Sequence, residues 1–165
     1  MLFRSFEEII GLEEIYALPI EGLEITWCDF LPNHDEKWGF KKLKILLIDL
    51  PKKENVDHLD FLSNLLTIET LKVHATFSAK SPDFSCDGLK FLQKLKYLQT
   101  SGLGYSNVDP LSNLKNLNYV KLSEDNLNDI SGLNSSENLE FIDLNYSKKL
   151  DNISPLSKLK NIKLI

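Results

Sequence analysis

The 165-residue sequence predicts an α/β solenoid, a stack of short units in which about seven parallel strands lie side by side and each is returned by a tight helical segment. Three observations carry this expectation. The apolar spacing of residues 108–122 (VDPLSNLKNLNYVKL) is written again at 130–144 (ISGLNSSENLEFIDL) and at 153–165 (ISPLSKLKNIKLI). Within each copy the apolar residues step first by three and then by two. Hydrophobic residues make up 42% of the chain and charged residues 26%, enough for a real core in one soluble domain.

The columns align without gaps. Val108, Ile130 and Ile153 share one, Leu111, Leu133 and Leu156 the next, then Leu117, Leu139 and Ile162, then Val120, Ile142 and Ile165. One step earlier, residues 86–100 (CDGLKFLQKLKYLQT) fit with Cys86 in the first column, and residues 56–73 fit with one extra triplet. The signal weakens to LKILLI at 43–48 and IEGLEI at 20–25. The strand centres are then Leu23, Leu46, Leu71, Leu98, Val120, Ile142 and Ile165. A step of two is strand alternation, and a step of three suits a 3₁₀ return, where residues i and i+3 eclipse. Asp-Gly, Asp-Pro, Ser-Gly and Ser-Pro open the helical segment in four copies, as a capping residue followed by a helix-opening residue should. One such unit cannot hide its apolar side alone, so the units must stack.

The pattern L-x-x-L-x-L followed by I-x-D/N-I-x-P/G-L resembles the 22-residue leucine-rich repeats of internalins and related bacterial proteins. Residues 86–165 carry it as regular repeats and residues 20–85 as irregular ones, with residues 1–19 as an N-terminal cap of the single domain 1–165. The resemblance implies a horseshoe with strands on its concave side and 3₁₀ segments on its convex side. It also implies an asparagine ladder after each strand, but that position holds Cys28, Pro51, Thr76, Leu103, Asp125 and Ser147, so the ladder should be broken.

At the N-terminus, Ser5 and Glu8 have the spacing of a capping box and predict a capping helix. At the other end Ile165 sits where a strand only begins. Either the natural chain continues or a bare edge pairs, giving a monomer or an edge-paired dimer. Residues 74–86 form a longer connection at the C-terminal edge of the sheet, and residues 32–40 (with Trp38) a second irregular one, expected to be exposed.

Chemistry of other kinds finds little support. A net charge of −5 argues against a nucleic-acid partner. No apolar run is long enough to span a membrane and no signal peptide is recognisable, so a cytoplasmic protein is expected. No metal-ligand spacing, glycine-rich phosphate loop or nucleophile elbow occurs, and neither a cofactor nor a metal is expected. Cys28 and Cys86 should be reduced, with Cys86 filling a core column. The acidic run at 124–129 (EDNLND) reads as a turn. An enzyme reading would rest on His34, Asp35, His58 and His74 in the irregular half.

The strand positions between the buried leucines face outward. Just before the central leucine they run Gly22, Ile45, Thr70, Tyr97, Tyr119, Phe141 and Leu164. Tyr97, Tyr119 and Phe141 fall on successive strands, about 4.8 Å apart. This is a candidate contact patch, because aromatics dominate interface hot spots, although an aromatic ladder can equally serve strand stability. Lys72, His74, Lys121, Ser123, Glu124, Asp143, Asn145 and Tyr146 complete the candidate face as its polar rim. The sequence therefore predicts a non-enzymatic module that binds a partner protein. The resemblance and the acidic charge together suggest an immunity protein that occludes a basic toxin. The alternative is a structural repeat fragment of a larger multidomain or surface protein.

Overall fold

Six of the predicted strands stand side by side in one parallel sheet, in chain order. In the computed structural model, which describes residues 2–4, 16–26, 38–50, 58–75 and 84–163, they are β2 (Gly22–Thr26), β3 (Ile45–Leu50), β4 (Thr70–Ala75), β5 (Tyr97–Ser101), β6 (Tyr119–Ser123) and β7 (Phe141–Asp143). A further strand, β1 (Leu2–Arg4), pairs with β2 and makes the sheet order β1 to β7. The predicted cap at 1–19 is therefore strand at its start. Three residues are too few to show alternation in a sequence. The predicted helix from Ser5 onward and the predicted strand at Ile165 lie outside the described residues, as do Cys28, His34 and Asp35.

Register follows the repeat. Leu23, Leu46, Leu71, Leu98, Val120 and Ile142 pair in one continuous row. All six are buried, because period-two alternation sends every second side chain inward. Among the described residues, five 3₁₀ segments return the chain on the convex side: η1 (Asp60–Asn64), η2 (Asp87–Phe91), η3 (Asp109–Asn113), η4 (Ser131–Leu133) and η5 (Ser154–Lys158).

The triplet step has a hydrogen-bond meaning. Leu111 N–H donates to the Val108 carbonyl, Leu114 to Leu111 and Leu117 to Leu114; Leu62, Leu65 and Ile68 continue the same chain from Leu59, and Leu89, Leu92 and Leu95 from Cys86. Each residue that fills the core also closes an i→i+3 turn, which satisfies backbone groups that burial would otherwise leave unpaired. The residue two places before each segment's first residue accepts that residue's N–H with its side chain. Asn107 Oδ1 accepts from Asp109 N–H, Asp129 Oδ1 from Ser131, Asn152 Oδ1 from Ser154, Ser85 Oγ from Asp87 and His58 Nδ1 from Asp60.

Adjacent returns touch backbone to backbone. A Cβ on Gly132 would lie 2.0 Å from the Val108 carbonyl oxygen, and one on Gly88 would lie 1.9 Å from that of Leu59. Glycine at these two positions is what lets η4 close on η3 and η2 on η1.

The irregular half is closed by aromatic packing. Trp38, expected at an exposed connection, is 1% exposed. Its ring lies 5.1 Å from Phe61 and 6.0 Å from Phe40, and Tyr16 meets Phe40 edge-on at 4.8 Å. These partners come from different units at no fixed spacing, and burying one large ring against two others outweighs the polar character of its neighbours in sequence.

Two stability predictions follow from this packing. Ser136 occupies the column of Leu114 and Leu159, is fully buried, and its hydroxyl has no hydrogen-bond partner. Ser136→Ala should stabilise the fold by about 1 kcal/mol in denaturant unfolding, because an unpaired buried hydroxyl costs roughly that much. Gly132→Ala should lower stability by about 2–3 kcal/mol, the cost of overpacking against backbone that cannot turn aside.

Candidate interaction face

The concave face is built by the pairing register. Thr70, Tyr97, Tyr119 and Phe141 occupy one row across β4 to β7, with Gly22 and Ile45 continuing it to β2. The Tyr97 and Tyr119 rings stack with centroids 4.4 Å apart and planes 6° from parallel. Phe141 follows at 6.3 Å, tilted by 32°. Strand spacing sets the first distance, since rings on neighbouring strands in register have little room to do otherwise. All three rings are half-buried, so one edge of the stack stays open to solvent. Ile45, 46% exposed, adds apolar surface further along the row.

Polar groups surround the stack as expected, with one exception. The Lys72 ammonium lies 5.4 Å from the Tyr97 centroid, a cation–π contact. Lys121 Nζ sits 2.7 Å from Asp143 Oδ2. That bond raises the lysine above its ordinary range and lowers the carboxylate below its own. Tyr97 donates its hydroxyl hydrogen to Gln99 Oε1, and burial first, then the neighbouring Tyr119, pushes its phenol up. His74, Ser101 and Ser123 form the next outward row, and His74 Nδ1 lies 2.5 Å from Ser101 Oγ. The Asn145 N–H bonds Asp143 Oδ1, which turns the chain after β7 and leaves Tyr146 75% exposed at φ 69°. A tyrosine held in the left-handed region costs backbone energy, and surrounding structure must fix it there.

Glu124, assigned to the polar rim, is instead fully buried. The reason is the same alternation that buries Val120 and Leu122: two residues on, Glu124 still points inward. Its Oε2 accepts the Gly104 N–H at 2.8 Å, while Asn126 Nδ2 donates to the Gly104 carbonyl. The turn after β6 thereby grips the turn after β5 at both backbone groups of one residue, Gly104. The other carboxylate oxygen has no hydrogen-bond partner, and burial pushes the carboxyl up to about 7 against the pull of the Gly104 N–H. Nearby, Thr100 Oγ1 and Tyr105 Oη lie 2.5 Å apart, and burial holds the Tyr105 phenol well above its usual range. Cys86 fills its core column as expected, and burial raises its thiol to about 12.

The post-strand ladder is irregular, as the sequence implied. Leu103 is buried and apolar, Asp125 pairs with Lys148 at the surface, and Ser147 alone of the three bonds back to the preceding unit, at the Leu122 carbonyl. An asparagine ladder does exist at the opposite edge. Asn116, Asn138 and Asn161 donate to the carbonyls of Gln93, Lys115 and Glu137, and Thr67 takes the same place earlier. The recurring asparagine just before the last apolar residue of each return limb was its visible sign. Beside it, Glu21–Lys44, Glu69–Lys96 and Glu140–Lys163 pair across the entries of neighbouring strands at 2.8, 2.7 and 2.6 Å.

The histidines of the enzyme reading do not form a common site among the described residues. His58 is buried at the entry to η1, where it caps the segment, while His74 lies on the open face of β4. No group of three or more His, Cys, Asp or Glu able to hold a metal occurs among the described residues. No described helix is long and apolar enough to cross a membrane.

No protein-family model matches the chain, and no curated protein matches it at a significant level. Solved structures do. The fold is that of an internalin-type leucine-rich repeat. An internalin (inlF) of Listeria monocytogenes aligns over 95% of the chain with a TM-score of 0.63 at 20% identity. Internalin C2 (inlC2) of the same organism aligns over 94% with a TM-score of 0.57 at 23% identity. The chain spans 43% of the first and 74% of the second.

Glu124 makes the stability of this fold depend on pH. Its folded value near 7 lies above the ordinary 4.5, so the native state favours the protonated form. The contribution is fully present below about pH 4.5 and is lost as pH rises through about 7. Glu124→Gln should remove that loss and exceed the wild type at pH 8 by on the order of 3 kcal/mol, with the two converging near pH 4.5. Thermal unfolding of both proteins across this range is the measurement.

Proposed function

We propose that the chain is a non-enzymatic protein-interaction module that holds its partner on the concave face. The observation that carries this reading is the Tyr97–Tyr119–Phe141 stack: three large rings in a row, open along one edge, on a sheet that cannot flex to hide them. Exposed aromatics on a rigid support lose little conformational freedom on binding, which is why such residues dominate interface energetics. The internalin-like fold supports a face of this kind as the place of contact. Lys121–Asp143, Ser123, His74, Asn145 and the exposed Tyr146 would supply the polar rim.

The partner in this reading is a basic protein. A net charge of −5 would speed its approach, and occlusion of a toxin by a small acidic binder in the cytoplasm is the role that combines these features. Affinity capture with the chain as bait, followed by mass spectrometry, tests the reading. The variant Tyr97→Ala/Tyr119→Ala/Phe141→Ala should lose the captured partner, with affinity reduced by about a hundredfold or more, since hot-spot truncations cost 2 kcal/mol or above. If the triple variant unfolds more easily but binds as the wild type does, the stack serves only the sheet and the reading fails.

A further inference from the structure

The turn after β5 is pinned to the next unit at its start, its middle and its end. At the start the Gly102 N–H donates to the Ser123 carbonyl at 3.1 Å, and at the end the Ser106 carbonyl accepts from the N–H groups of Asn128 and Asp129 at 2.9 and 3.2 Å. Between these anchors Gly104 is held at both of its backbone groups, by Glu124 Oε2 and Asn126 Nδ2. Gly102 and Gly104 stand at φ 72° and 88°, so the chain on either side of Leu103 can swing through angles that other residues resist. The middle of the turn is thus a short segment between fixed backbone ends, and its polar contacts to the next unit pass through Glu124 and Asn126.

Glu124 is fully buried, and its Oε1 has no hydrogen-bond partner. A neutral carboxylic acid tolerates such a place far better than a carboxylate, whose charge demands water or donors at both oxygens. The groups packed around it leave that demand unmet. Tyr105, in the turn itself, shares its hydroxyl with Thr100 on β5, and burial holds its phenol well above the usual range. Cys86, ahead of η2, is a thiol that burial raises to about 12. Both therefore stay neutral wherever Glu124 titrates. Burial first, and Asp125 beside it, push the Glu124 carboxyl up, while the Gly104 N–H, the Thr100 hydroxyl and the Leu103 N–H pull the other way and are outweighed. Lys148 and Lys149, on the following turn, are engaged by Asp125 and Asn126.

We propose that Glu124 is a proton-operated latch on the turn after β5. Protonated, it stays buried and holds Gly104 down; ionised, it draws the middle of the turn open until water reaches its free oxygen, and the released proton goes to solvent. The open form carries an ordinary carboxyl near 4.5 and the closed form one near 7, so opening gains as pH rises between these values and levels off above them. The loss of global stability with pH needs only the buried carboxyl; opening of this turn alone, with the sheet intact, goes further. Ser101, which carries the His74 contact, directly precedes Gly102, so the latch borders the outward row of Ser101 and Ser123. Acid fastens that border of the concave face and alkali frees it, whatever occupies the face.

Amide hydrogen exchange of the isotope-labelled full chain reads the opening directly. It is followed by NMR from pH 4.5 to 8, where closing outpaces exchange, and each rate is divided by the intrinsic rate at that pH. The Gly104 amide should lose protection by about a hundredfold or more over this range, nearly all of it below about pH 7. Low denaturant should leave its exchange almost unchanged. The amides of Leu71 and Val73 in β4 should be far better protected and should exchange faster as denaturant is added. The Glu124 side-chain carboxyl carbon should titrate with a midpoint near 7. Glu124→Gln, which keeps an acceptor for the Gly104 N–H, should make Gly104 protection flat with pH. If Gly104 matches Leu71 and Val73 in protection and in denaturant response, the carboxyl meets water only on global unfolding and the inference is overturned. A flat Gly104 profile in the wild type, a carboxyl carbon titrating in the ordinary range, or a Glu124→Gln profile that still falls with pH would each overturn it as well.

Discussion

Each apolar residue on the three-step column of a return limb does two things at once. Its side chain fills the core and its N–H reaches the carbonyl of the apolar residue three places back, as in Val108, Leu111, Leu114 and Leu117. A buried irregular segment would ordinarily strand polar backbone in an apolar interior, at a cost comparable to a lost hydrogen bond for each group. The shared period of three removes that cost without a full helix. It also makes the units thin, so that neighbouring returns meet at Gly88 and Gly132 with backbone against backbone. The parallel register of the strands on the other side follows, because strand and return advance together by one unit.

A stack with this internal logic still has to fix the order in which its surfaces face solvent. The entry edge of the sheet does so with side chains that bond from one unit to the previous one: the Asn116, Asn138 and Asn161 amides and the alternating Glu–Lys pairs. Each exposed ion pair is worth at most about 1 kcal/mol and is screened by salt. Their value lies in register, because a slip by one unit would set like charges side by side along the row. Asn118 interrupts the alternation between Lys96 and Glu140, and an uncharged residue there is compatible with both neighbours being paired elsewhere.

The strand centres and the aromatic row were legible in the sequence because both depend only on spacing. Leu98, Val120 and Ile142 recur at the interval that places Tyr97, Tyr119 and Phe141 in register, so one alignment yields the core and the face together. Glu124 was misplaced for a different reason. Its identity, an acid among turn residues, suggested solvent, whereas its position two beyond Leu122 places it inside; position prevailed because the Gly104 N–H and the turn geometry were there to receive it. Trp38 was hidden because its partners Phe40 and Phe61 belong to units whose spacing is irregular.

Glu124 and Tyr146 occupy equivalent positions in successive units, one buried and the other 75% exposed. The difference reflects what the preceding turn offers. Gly102 and Gly104 take positive φ in the turn after β5, which aims the Gly104 N–H at the carboxylate of the next unit. The turn after β6 contains no glycine, so the following unit finds no such donor and Tyr146 adopts the left-handed conformation itself, sending its ring outward. A single glycine-bearing turn thus decides whether the next unit spends this position on the core or on the surface. The consequence is directional: the buried carboxylate ties the turn after β6 to the turn after β5, while the strained tyrosine is left in solvent beyond β7.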